Sequence, residues 1–90
     1  MQWKITYKYL SIIANRIVQL ENAVVTDAKI VELRSSIARR SADRLDKGLI
    51  SSTDFINDLN AEMQAKLNLE MHKVQLMQEQ SNLQSIYGVY

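Results

Sequence analysis

Hydrophobic positions recur along this chain with the period of long α-helices. Leu10, Ile17, Val24, Val31, Ala38 and Leu45 fall at every seventh residue, and Ile13 and Leu20 complete a three–four alternation at the start. That is the signature of a helix packed along a supercoiled seam. The companion positions then become Asp27, Arg34 and Ser41, so a strict two-stranded seam is expected to fail there. Ala14, Ala28, Ser35 and Ala42 form a row of small residues beside it, and Ile30, Leu33 and Ile37 lie on another flank. The pattern predicts a first helix from roughly residue 5 to 47. A second pattern, from about 52 to 87, carries two stripes. One is Leu59, Met63, Leu67, Met71 and Val74; the other is Ala61, Ala65, Leu69, His72, Leu76 and Leu83. Both helices ask for apolar neighbours on two sides, which a lone hairpin cannot supply, so a multi-helix assembly is expected.

The two patterns meet at Gly48. Arg44 and Lys47 place positive charge at the negative end of the first helix. Glycine can take the left-handed conformation that ends a helix without a Cβ clash. Ser51 is a good N-cap with Asp54 three residues on, and Ile50 and Phe55 have the spacing of a hydrophobic staple. The expected fold is therefore all-α: one antiparallel two-helix coiled-coil hairpin over residues 1–90, with its tip at 48–51. Pairing about the tip places residue 47 − n near residue 51 + n, so Leu10 lies beside Gly88 and Trp3, Tyr7 and Tyr9 overhang. The rod should be ~60 Å long at 1.5 Å per residue.

Composition sharpens this picture. The chain has 90 residues, no proline, and glycine only at positions 48 and 88, so loop-forming chemistry is confined to two points. A net charge of +1 gives no field favouring nucleic acid. The basic flank of Arg34, Arg39, Arg40, Arg44 and Lys47 is tempered by Asp43 and Asp46 and lacks interleaved aromatics, so it reads as a solvated face. The chain has no cysteine and a single histidine, His72, so no metal site is expected; His72 reads as an interface or surface residue. Asp54, Asn57 and Asp58 cluster after the tip, where capping is the expected role rather than acid–base chemistry. There is no nucleophile motif and no phosphate cradle, so neither an enzyme nor a cofactor is expected. No convincing signal peptide or ~20-residue apolar span is present.

The ordered set of Gly48, Asp54, the stretch Ala65-Lys66-Leu67-Asn68-Leu69 and Gly88 resembles the C-terminal repeat of TolC-like outer-membrane efflux proteins, over roughly residues 30 to 88. Leu59-Asn60-Ala61-Glu62, Lys66-Leu67-Asn68-Leu69 and His72-Lys73 are similar to the Bacteroides-like branch of that family. The resemblance implies a homotrimer with a barrel in the outer membrane and a periplasmic helical tunnel. The hairpin tips of that tunnel dock a periplasmic adaptor protein for export of drugs or other substrates. This chain would be the distal, periplasmic part of one such hairpin. Carried over by position, Gly48, Leu49, Ile50 and Ser51 match the adaptor-docking tip. Asp54 matches an acidic position at the tunnel entrance, where three copies form a carboxylate ring. Leu45, Ile50 and Asn57 stand where some members carry a tyrosine, an arginine and a second aspartate, which puts the polar lock of those members in doubt. Asp58 is the alternative second acid, on a different face. Two other readings remain open: the α-hairpin of a periplasmic adaptor, with Arg40, Leu49 and Ser51 or Ser52 as its tip residues, and a free-standing coiled-coil scaffold. The hairpin alone is also expected to self-associate as a helical bundle.

Overall fold

The computed structural model describes the backbone of residues 2–88 and the side chains of residues 7–88. Two helices, α1 (Gln2–Asp46) and α2 (Ser52–Gly88), fold back on each other as an antiparallel hairpin. The molecule is a rod of 69 × 15 × 15 Å, the length set by α1, whose 45 residues rise ~67 Å. α1 begins three residues earlier than the pattern predicts and ends one residue earlier, and α2 runs one residue further. Tyr7 and Tyr9 project from the open end and are exposed. Trp3, the third aromatic of that overhang, has its side chain outside the described residues.

The seam is the all-α coiled-coil contact that the heptad pattern foretells, but its membership differs in an informative way. On α1 the covered positions along the seam are 10, 13, 17, 20, 24, 27, 31, 38, 41 and 45, with 23 and 35–37 partly covered beside them; on α2 they are 55, 58, 62, 65, 69, 72, 76, 79, 83 and 86, with 61 partly covered beside them. The α2 series keeps the three–four alternation throughout, and the α1 series keeps it except at Arg34. The expected failure of the seam at Asp27, Arg34 and Ser41 is therefore corrected: Asp27 and Ser41 lie in it, and only Arg34 is exposed. They are accommodated because α2 brings a polar partner to each. Ser41 Oγ donates to Asp58 Oδ2, and Asp27 Oδ2 meets His72 Nδ1. These two cross-links fix the register as residue 48 − n opposite residue 51 + n, one residue away from the expected pairing. Ser11, rather than Leu10, thus falls opposite Gly88.

The most deeply covered positions in the tip half of the seam are small residues. Ala38, Ser41 and Ala65 are all more than nine-tenths buried, as expected where two backbones approach closely with little side chain between them. The open half is packed by larger groups, and Ile13 is the most completely covered of the described side chains, at 3% exposure. A third cross-seam pair joins Arg16 Nη1 to Glu79 Oε1 at 3.0 Å. Glu79 Oε2 is buried beside it with no hydrogen-bond partner among the described residues.

Candidate functional site

The tip is built almost entirely by local chemistry. Gly48 has φ of +71°, the left-handed region. Gly48 N–H donates to the Leu45 carbonyl at 3.0 Å and Leu49 N–H donates to the Arg44 carbonyl at 2.8 Å. This pair of bonds is the Schellman closure that satisfies the last carbonyls of a helix. Lys47 Nζ pairs with Asp43 Oδ2 at 2.9 Å, anchoring a cation at the negative pole of α1. The second helix opens with a reciprocal box: Asp54 N–H donates to Ser51 Oγ at 3.1 Å, and Ser51 N–H donates to Asp54 Oδ2 at 3.4 Å. Ile50 and Phe55 flank this cap and are both half-buried, as staple positions should be. Replacing Ser51 with alanine is expected to lower hairpin stability by about 1 kcal/mol. Urea denaturation checks this, and an unchanged midpoint would show that the capping bond contributes nothing.

The structure brings Gly48, Leu49, Ile50, Ser51 and Asp54 together at one end of the rod. Gly48, Leu49, Ser51 and Asp54 are exposed, with Leu49 at 69%, while Ile50 is half-covered. A Cβ added at Gly48 would meet nothing within 4 Å. The tip is therefore a small apolar knob on a capped turn, with exposed Arg44 in the last turn of α1. Asp54 is both exposed and engaged in the cap. Asp58 lies on a different face of α2 from Asp54, as expected, and that face is the seam, where it is half-buried with Ser41.

The second notable surface is the back of α2. Ile56, Leu59, Met63, Leu67, Met71, Val74 and Met77 are all exposed, most of them by more than half, and together span ~32 Å of helix. Of the two stripes on α2, the one with small residues and His72 faces α1, and this bulkier one faces outward. The corresponding back of α1, Asn15, Asn22, Lys29, Ser36 and Asp43, is polar and largely exposed. An additional flank of α1 exposes Ile30 and Leu33. A run of large apolar side chains facing water is the mark of an interaction surface.

His72 is the functional-looking residue whose partner the sequence hid. Its ring lies against the Asp27 carboxylate across the seam, forty-five positions away in sequence. The only available signal was that both residues occupy seam positions in their own heptads. No group of three metal-ligating side chains exists among the described residues, and no described helix is long and apolar enough to cross a membrane. Comparison with known proteins returned no match: no protein-family model, no curated protein and no solved structure is similar to the chain.

Proposed function

We propose that this hairpin is the distal part of a periplasmic hairpin in a trimeric TolC-like efflux channel of the outer membrane, and that residues 48–51 dock a periplasmic adaptor protein. The observation that carries this reading is the uncovered stripe from Ile56 to Met77 on the back of α2. A rod with a closed seam and a second apolar face is suited to stand among sister rods. Its capped end, with exposed Leu49, is then open to meet a partner end-on. The ordered set of Gly48, Asp54, Ala65 to Leu69 and Gly88 supports the same assignment through the resemblance it carries. In that setting Asp54, exposed beside the tip, lines the tunnel entrance.

The test uses the native gene in the cell that carries it. A photoreactive residue at position 49 is expected to form a covalent adduct with a periplasmic protein that has lipoyl-like β halves. Leu49→Glu is expected to reduce dye export about tenfold or more, because it places a carboxylate in a desolvated contact. Leu49 is so exposed in the hairpin that this change leaves the fold intact, so the amount of trimer in the outer membrane should not fall. Unchanged export with the variant, or a protein absent from the outer membrane, would overturn the proposal. Barrel strands absent from the gene product, with lipoyl-like halves flanking the hairpin, would transfer it to the adaptor.

A further inference from the structure

We infer that the tip is also a hinge, through which two copies of this chain exchange their second helices to form an antiparallel dimer of nearly continuous helices. This goes beyond the channel reading and does not depend on it.

The register is what points there. Residue 48 − n lies opposite residue 51 + n, as the Ser41–Asp58 and Asp27–His72 pairs require. That rule is symmetric about the middle of the tip. A chain running straight through the tip therefore meets an antiparallel second copy in the same register. Each seam contact re-forms between chains, including Arg16 with Glu79. Such an exchange needs no new interface, which makes it a low-cost route to a two-fold dimer.

What holds the chain closed is local and small. It consists of Gly48 at φ +71°, the Schellman bonds and the Ser51–Asp54 box. Leu49 is exposed, and no large side chain at the tip is fully buried. No proline blocks continuation of the helix through the tip. Leu45, Gly48, Ser52 and Phe55 continue the three–four alternation, so a helix drawn through the tip keeps its seam on one face until a one-residue slip at Asp58. The closed hairpin is favoured at low concentration because its helices are tethered, and the exchanged form gains with concentration.

Gly48→Ala tests the hinge. Alanine strains the left-handed closed turn and favours the continuous helix. The dimer dissociation constant should therefore fall about thirtyfold for each chain, or about a thousandfold in all. Sedimentation equilibrium reads the change. Gly48→Asn, which tolerates the left-handed turn, should shift it far less. Donor and acceptor dyes at cysteines replacing Asn15 and Gln84 sit side by side in the hairpin and ~100 Å apart in an open chain. In the Gly48→Ala dimer, energy transfer within a labelled chain should vanish when excess unlabelled chain is mixed in. An oligomer that keeps its transfer has intact hairpins and overturns the inference. So does a Gly48→Ala chain that stays monomeric, responds no more than Gly48→Asn, or loses its helical circular dichroism, since exchange restores every helical residue. Failure here leaves the Leu49 export test untouched, and the reverse holds as well.

Discussion

Replacing His72 with leucine lowers the stability of the hairpin by about 2 kcal/mol, and replacing Asp27 and His72 together with leucine restores most of that loss. The Asp27 side chain is only 14% exposed and the His72 side chain 36%, so the aspartate is the more deeply committed partner. Removing the imidazole leaves a carboxylate in the seam facing a methyl group, without its hydrogen bond. Removing both groups instead inserts a leucine pair into a seam already made of such layers. The single-site cost is set below the range for fully buried pairs because His72 keeps contact with water. Urea denaturation followed by circular dichroism gives the three free energies of a double-mutant cycle. With Asp27→Leu as the third variant, a double-variant loss equal to the sum of the two single losses would mean that the pair is not coupled, and the register assigned from it would lose one of its two supports.

Ile13→Ala is expected to cost about 3 kcal/mol. Ile13 is the large side chain most completely covered among those described, at 3% exposure, and the register sets Ile86 opposite. Truncation leaves a gap that two stiff helices cannot close by local relaxation. The loss should be concentrated at the open end. Amide hydrogen exchange should therefore accelerate most in residues 10–20 and 79–88, while the tip stays protected. A cost below about 1 kcal/mol, or uniform acceleration along the rod, would mean that the open end is already frayed and that Ile13 does not anchor it.

The tip was the most legible part of this protein. Gly48, Ser51 and Asp54 act within a few residues of themselves, through backbone conformation and short-range hydrogen bonds, so residue type and spacing suffice to place them. The first helix was legible for the same reason, its heptads being visible without a partner. Asp27 and Ser41 were not. A polar residue at a seam position looks like an interruption until the opposing residue is known, and here the opposing residues are His72 and Asp58 on the other helix. His72 looked unremarkable because its role depends on a side chain forty-five positions away. Asp58 was placed on a different face from Asp54, but that this face is the seam depended on Ser41 of the other helix.

The two stripes of α2 divide what the sequence determined from what only the folded hairpin decided. By itself the sequence determined two long helices, a turn at Gly48, a capped start at Ser51, and more apolar surface than one partner could cover, because each follows from interactions within a helical turn or two. Which stripe of α2 would become the seam was settled only by the pairing of α1 with α2. The tip geometry turns the face of Ala61, Ala65 and His72 toward α1. Small side chains at Ala38, Ser41 and Ala65 let the backbones close together, and Asp27 and Ser41 find their partners only in that orientation. The bulkier face, Met63, Leu67, Met71 and Met77, is left outward. Burial of a face is a property of the pair of helices, and neither sequence pattern alone contains it.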